Sequence, residues 1–154
     1  GAWIQAHRPA AILSANVMGQ FGVLAQRAVE KAFGGALPWM GDGEEDVLDD
    51  AIRAWTARAV RAYLARLGEA GVPLWLLHDR GVVFGNPPLG LGPAAASWLD
   101  QLVSPVPLEV DDPLCGVDVA EAFAGRVLAG PDRWLWPVGP GQIHVMEALR
   151  VGPG

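Results

Sequence analysis

The chain has 154 residues, of which 51% are hydrophobic and 18% charged, and its formal net charge is −6. A hydrophobic chain of this length predicts one well-filled domain over residues 1–154 and argues against disorder, which needs low hydrophobicity and high net charge. The negative charge makes nucleic acid an unlikely partner and disfavours a membrane surface, because both require clustered cations.

The first predicted element is a helix from about Pro9 to Phe33. Apolar residues step by three or four along it, and a proline is tolerated in its first turn. Gly19 and Gly22 lie inside the segment, which predicts close packing against another backbone. The expected buried stripe consists of Leu13, Val17, Phe21, Leu24, Ala28 and Ala32.

A second long amphipathic helix begins in "GDGEEDVLDD" and ends before Pro73. Its acids stand at the amino end and its arginines follow downstream, an order that complements the helix dipole. Carboxylates one turn apart, such as those of Glu45 and Asp49, could bind Mg²⁺ or Ca²⁺ through their oxygens. Stabilisation of the helix dipole explains the same acids without a metal. We therefore predict no metal and no other cofactor. The expected buried stripe consists of Leu48, Ile52, Trp55, Ala59, Tyr63 and Leu67.

The second half of the chain is rich in glycine and proline, which predicts strands, turns and loops. Leu74–Leu77 and Val82–Phe84 flank a polar link with a glycine, as in a β-hairpin. Further predicted elements are a short helix over Ala94–Val103, an edge strand in "PVPLEV", a helix over Asp118–Leu128 capped by Asp118, and strands in "RWLWPV" and "QIHVMEALRV". The predicted fold is α+β, with two long helices of the first half packed on a small, mostly antiparallel sheet of the second half.

His78 and Asp79 are the first candidate catalytic residues, since histidine titrates near neutral pH. In a strand, however, adjacent side chains point to opposite faces, so the two cannot act as a base and its orienting acid. Asp79 and Arg80 beside Gly81 are also typical of a turn. We therefore favour a structural role in a turn over a catalytic role for these residues.

"EVDDPLCGVD" holds the other polar group, formed by Asp111, Asp112 and Cys115. A cysteine–histidine–acid site could use Cys115 with His78 or His144 and one of these aspartates. A lone cysteine in an apolar setting is more often inert, and the aspartates before Pro113 are typical of a turn. His144 lies between two apolar residues of an alternating segment, which predicts a half-exposed histidine.

Seven tryptophans are unusual in a chain of this length. Trp134 and Trp136 alternate in one predicted strand and so share a face; with Trp75 and Trp98 they could line an apolar cleft for a ligand or partner. A tryptophan-rich core under the two helices is the favoured alternative.

Several segments occur in a fixed order: "HRP" before the first helix, "PLWLLHDRGVVFGNPPLG", "PVPLEV" and "DVAEAFAGRVLAG". This order resembles the later part of the uncharacterised bacterial family curated as domain of unknown function 4238, and the resemblance covers most of the chain. Gly85-Asn86 replace the Ser-Asp of the family's turn, so a role for that carboxylate does not transfer. The resemblance implies a bacterial protein and brings no reaction with it.

The leading hypothesis is a non-enzymatic binding domain that uses apolar, Trp-bearing surface to contact a protein partner or a second copy. The alternative is a hydrolase using His78 with Asp79 or the Asp111–Asp112 pair, with nuclease-like action and dependence on a divalent metal as options. A cytoplasmic chain without a membrane anchor is expected, since no signal peptide and no apolar run of about 20 residues are visible. A start at Gly1 is typical of a processed piece of a longer chain.

Overall fold

A computed structural model describes residues 6–34, 44–84, 112–139 and 142–154. In chain order the elements are β1 (Ile12–Ala15), α1 (Gln20–Ala32), α2 (Glu44–Gly68), β2 (Leu74–Phe84), α3 (Val119–Ala122), β3 (Val127–Gly139) and β4 (Gln142–Val151). The α+β prediction is confirmed, with the long helices early and a four-stranded, mostly antiparallel sheet. The predicted elements in Ala94–Val103 and "PVPLEV" lie outside the described residues. Among the helices that are described, none combines the length and hydropathy that a membrane span requires.

The strands lie in the order β1-β2-β4-β3, and β1 pairs with β2 in parallel. The predicted hairpin at residues 74–84 is wrong, because β2 continues through the polar segment and pairs along its length with β4. Its register shifts between Asp79 and Gly81, so Arg80 is the extra residue of a β-bulge. Gly81 is not among the described glycines with positive φ, and such a conformation is what the predicted turn required.

The predicted helix over Pro9–Phe33 is wrong in its first part. Residues Ile12–Ala15 form β1, and backbone N–H groups at both ends of it donate to the neighbouring strand segment: Ile12 N donates to Pro73 O and Asn16 N donates to Leu77 O. Asn16 then adopts φ +50°, a left-handed conformation that asparagine tolerates and a helix interior does not. The predicted stripe is disrupted accordingly, and Leu13 is 67% exposed.

One face of the sheet, here called the core face, carries Leu74 and Leu76 and packs against α2. The face of α2 that packs against the sheet differs from the predicted buried stripe. Of the predicted stripe only Leu67 is buried, and Trp55 is 44% exposed. Helix α2 has two apolar stripes, and the sequence pattern does not reveal which one meets the sheet. The buried stripe consists of Thr56, Ala57, Val60, Leu64 and Leu67.

Helix α1 packs beside α2 and contributes no buried residue. Gly22 allows the close approach, since a Cβ there would lie 3.4 Å from Thr56 Oγ1. Phe21 packs edge-on against Tyr63, whose hydroxyl lies 2.9 Å from the Ser14 hydroxyl in β1. Because the start of α1 contacts the middle of α2, the carboxyl end of α1 lies level with the start of α2, and the two helices form an antiparallel hairpin.

The late helix is shorter than predicted. Asp118 caps it as expected, accepting a hydrogen bond from Glu121 N at 2.9 Å, but α3 ends at Ala122 and β3 begins at Val127. Between them, Arg126 donates to Gly152 O at 2.9 Å and to Gly68 O at 3.4 Å. This arginine therefore ties the end of α2 to the end of the chain.

Candidate functional site

His78 and Asp79 lie on opposite faces of β2, as the alternation of a strand predicts. The His78 side chain is fully buried on the core face, and Asp79, 2% exposed, lies on the opposite or outer face. The structure therefore does not bring these two predicted catalytic side chains together. Each has a different partner across the sheet.

A polar row crosses three strands on the core face. His78 is paired with Glu147 on β4, and Glu147 is paired with Arg133 on β3. Glu147 Oε2 accepts a hydrogen bond from Arg133 Nε at 2.7 Å, while Oε1 lies 3.5 Å from His78 Nε2. His78 Nδ1 donates to the carbonyl oxygen of Asp79 at 3.3 Å, and within the described part of the chain Nε2 has no hydrogen-bond partner.

Burial lowers the pKa of His78 below its usual value, more than the nearby Glu147 carboxylate raises it. The unfolded chain, with a histidine pKa of about 6.5, then binds this proton more readily than the folded one. We expect the free energy of unfolding to fall as the pH drops below about 6.5, by up to about 1.4 kcal/mol per pH unit from this group. Urea unfolding of the wild type and His78→Leu between pH 7.5 and 5 tests this.

The variant should show a shallower pH dependence than the wild type. Leu76→Ala is the matched control, since it removes a buried neighbour without a titratable group and should lower stability equally at each pH. Equal slopes for His78→Leu and the wild type would contradict the assignment.

On the outer face Asp79 pairs with His144, a contact that the sequence pattern did not predict. Asp79 Oδ1 accepts from His144 Nδ1 at 2.9 Å, and His144 Nε2 lies 3.2 Å from the side-chain nitrogen of Gln142. The bulge at Arg80 makes this possible, because it keeps Asp79 on the same face as Val82, the residue opposite His144. His144 is mostly buried, with 17% of its side chain exposed, rather than half-exposed.

His144 is oriented as a general base would be, but its Nε2 atom is not free to accept a proton. A carboxylate on Nδ1 fixes the tautomer and leaves Nε2 to take a proton, as in hydrolytic sites. Here the Gln142 amide donates to Nε2 and occupies its lone pair. The hydrolase hypothesis stays a prediction, and its strongest histidine–acid pair is Asp79 with His144.

The other predicted catalytic groups have structural contacts. The Asp112 carboxylate accepts from Leu114 N at 2.9 Å and Gly116 N at 2.6 Å, which holds the turn expected there. Burial raises the pKa of the Cys115 thiol, which opposes formation of the reactive thiolate. Asp111 lies outside the described residues.

The described tryptophans of the predicted cleft all lie on the outer face, but they are spread along it and do not form one cluster. Trp75 lies opposite Arg150 of β4, whereas Trp136 lies opposite His144, about 20 Å further along the strand. The two are 41% and 47% exposed, and Trp134 is half-buried between these positions. Trp98 lies outside the described residues, and partner contact by these tryptophans remains a prediction.

An apolar groove lies between α1 and α2, with a volume of about 430 Å³. Leu24, on one wall, is 57% exposed, and Trp55 rises from the other. The sequence pattern placed Leu24 and Trp55 in buried stripes. Both residues are apolar, as that pattern requires, but both are exposed. The groove is lined by Leu24, Ala25, Ala28, Val29, Leu48, Ala51, Ile52 and Trp55.

Comparison with known proteins does not extend these observations. The chain matches no protein-family model, no curated protein and no solved structure. The resemblance to domain of unknown function 4238 stays a prediction.

Proposed function

We propose that this chain is a protein-binding domain that receives an amphipathic helix in the groove between α1 and α2. The observation that carries the proposal is the lining of the groove, which is apolar at every position. A helix that lays its apolar face into such a groove is a common mode of protein recognition.

The exposure of the groove supports this function. Leu24 and Trp55 lie on its two walls and remain about half exposed, although large apolar side chains are normally buried. Contiguous apolar surface of this kind marks interaction sites more often than isolated exposed residues do. The alanines between the bulky residues leave space for the side chains of an incoming helix.

The length of the groove also fits a helical partner. The lining runs from Leu24 to Val29 on α1 and from Leu48 to Trp55 on α2, which corresponds to about 10 Å, or two turns of helix. An incoming helix can place anchor residues at the i, i+3, i+4 and i+7 spacing of helix recognition within that length. By contrast, the predicted catalytic residues that are described lie on different faces of the sheet or hold a turn.

Photo-crosslinking from the groove tests the proposal. A photoreactive residue in place of Ala28, which is exposed and lines the groove, should give a protein adduct of defined mass in cells that produce the full chain. The adduct should disappear when Leu24→Glu is added, because the new carboxylate would have to be buried on binding.

Ala65 is the matched control position, since it is also an exposed alanine but lies more than two turns beyond Trp55 on α2. A photoreactive residue there should give no such adduct. The absence of a defined adduct from position 28, or the same adduct from both positions, would refute the proposed function.

A further inference from the structure

We propose that Asp79, held by His144, is the positioning residue of the groove, because its carboxylate fixes the start of α1, the helix that forms one wall. This inference rests on the proposed function, since it assigns the residues that keep the binding site in shape. It also gives a role to a histidine–acid pair whose geometry resembles a general base. A polar pair on the outer face of the sheet then controls a groove that it does not line.

Helix α1 has no cap of its own. Its N-cap residue is Gly19, which offers no side-chain hydrogen bond, and its first turn contains no acidic residue. The unpaired N–H groups at the start of a helix carry a partial positive charge that favours a negative group nearby. Helix α1 has no buried side chain either, so apolar packing compensates little. We therefore expect its start to depend on a negative group from another part of the chain.

Asp79 supplies that group. Strand β1 ends beside Leu77, so the chain that leaves β1 passes Asp79 before α1 begins. A Cβ on Gly19 would lie 2.8 Å from Asp79 Oδ2, which places the carboxylate directly against the backbone at the start of the helix. Asp79 is 2% exposed, and buried charges are screened much less than surface charges. Its effect on the helix end is therefore stronger than that of an exposed acid.

Asn16 adds a second oxygen on the same side of Gly19. A Cβ on Gly19 would lie 3.5 Å from Asn16 Oδ1, and this buried oxygen accepts no hydrogen bond from the described residues. A buried acceptor without a partner is costly in an apolar setting. Beside the positive end of a helix, its partial negative charge is favourable instead. Both oxygens thus support an electrostatic contact at this helix end.

His144 fixes which oxygen of Asp79 faces the helix. The imidazole Nδ1 donates to Asp79 Oδ1 at 2.9 Å, which leaves Oδ2 against Gly19. The carboxylate thereby connects two elements, β4 through His144 and α1 through Gly19. Without the imidazole, nothing in this pair would hold Oδ2 towards the helix.

The groove begins directly after this contact. Phe21 packs edge-on against Tyr63, and a Cβ on Gly22 would lie 3.4 Å from Thr56 Oγ1, so the first turn of α1 is also joined to α2. The lining of the groove starts at Leu24, within one turn of these residues. A displacement of the first turn would therefore move the whole α1 wall relative to α2.

Hydrogen exchange of the purified full chain tests the inference. Asp79→Asn keeps the shape of the side chain and an oxygen that can accept from His144, and it removes the negative charge. The α1 amides should exchange about fivefold faster, as expected for the loss of one charge at a helix end. The amides of β2 and β4 should change far less, because the cross-strand hydrogen bond remains.

A carboxylate on the helix itself should rescue this variant. Gln20 is exposed in the first turn of α1, so Asp79→Asn/Gln20→Glu restores a negative charge at the helix start and should return the α1 amides to about the wild-type rates. Leu128→Glu is the matched control, since Leu128 is 59% exposed on β3, at the opposite edge of the sheet from β1, and should not rescue. Unchanged α1 rates in Asp79→Asn, or equal rescue by both carboxylates, would overturn the inference.

A double-mutant cycle tests whether His144 acts through Asp79. His144→Leu should also speed exchange of the α1 amides, read relative to the sheet amides, which report any overall loss of stability. Adding Asp79→Asn to His144→Leu should then cause little further change in α1. Additive effects of the two replacements would overturn the assignment of His144.

The adduct from position 28 separates this inference from the proposed function. Its yield should fall in Asp79→Asn and recover with Gln20→Glu, because a partner binds only those chains whose α1 wall is in place. An unchanged yield in Asp79→Asn, despite faster α1 exchange, would overturn the role of the pair in the groove. A wild-type chain without any adduct would refute the proposed function, while the exchange rates would still decide whether Asp79 holds α1.

Discussion

Gly130→Ala should lower the free energy of unfolding by roughly 3 kcal/mol, measured by urea denaturation. Gly130 has φ +95°, where L side chains are strained. A Cβ there would also lie 2.5 Å from the backbone oxygen of Ala148 on β4, so that one of the two strands would have to shift. Strain and displacement therefore add at one position of the sheet.

Gly71→Ala is the control that separates the two contributions. Gly71 also has positive φ, at +66°, but a Cβ there would meet no atom within 4 Å. Its replacement should cost about 1–2 kcal/mol from the backbone conformation alone. Equal losses for both variants would show that the approach to Ala148 adds nothing.

Arg133→Met should cost about 3 kcal/mol, the second large effect. The Glu147 side chain is 6% exposed, and its hydrogen bond to Arg133 Nε is 2.7 Å long. Without this arginine, His78 is the one ion-pair partner that the described residues leave to the buried charge, and its lowered pKa disfavours the cationic form that could replace the arginine. The expected loss lies at the lower end for a broken buried pair, because a third of the Arg133 side chain is exposed.

A second replacement should recover most of that stability. In Arg133→Met/Glu147→Met no buried charge remains, and apolar substitution of both partners is often close to neutral. Arg150→Met, which removes an exposed arginine from β4, should change the free energy of unfolding by no more than about 0.5 kcal/mol. A double variant as unstable as Arg133→Met would contradict the unpaired-charge explanation.

The general architecture could be predicted because it depends on patterns within single segments. Helix α2 follows from acids at its start and apolar residues throughout, and β4 follows from "QIHVMEALRV", in which apolar residues recur at alternate positions. The helix cap at Asp118 could also be predicted locally, because it depends on one side chain and a backbone N–H three residues later. These features depend little on the remainder of the fold.

The errors arise where a distant segment decides the local conformation. Ile12–Ala15 has apolar spacing compatible with a helix, but pairing with β2, far along the chain, makes it a strand. In the same way, Gly81 favours a turn locally, whereas the length of β4 allows β2 to pair straight through as a bulged strand. Tertiary contacts override local preference in both cases.

Three of the four residues in the two polar pairs, His78, Asp79 and His144, were candidates from the sequence, but their pairing was not predicted. Asp79 and His144 were singled out separately, and only the cross-strand register with its bulge brings them within 2.9 Å. Glu147 gave no signal, because a glutamate in an alternating strand is normally exposed. A single sequence does not contain the register, so neither pair could be predicted.

The parallel pairing of β1 with β2 links the groove to the edge of the sheet. The chain passes from β1 to β2 through the α1–α2 hairpin, so pairing at this edge depends on how the helices fold, whereas β2, β4 and β3 pair through antiparallel ladders that do not include β1. Fraying of the hairpin would release β1 first and expose the backbone of β2 as a new template for intermolecular strand addition. Occupation of the groove by the proposed partner would thus also oppose aggregation of the chain.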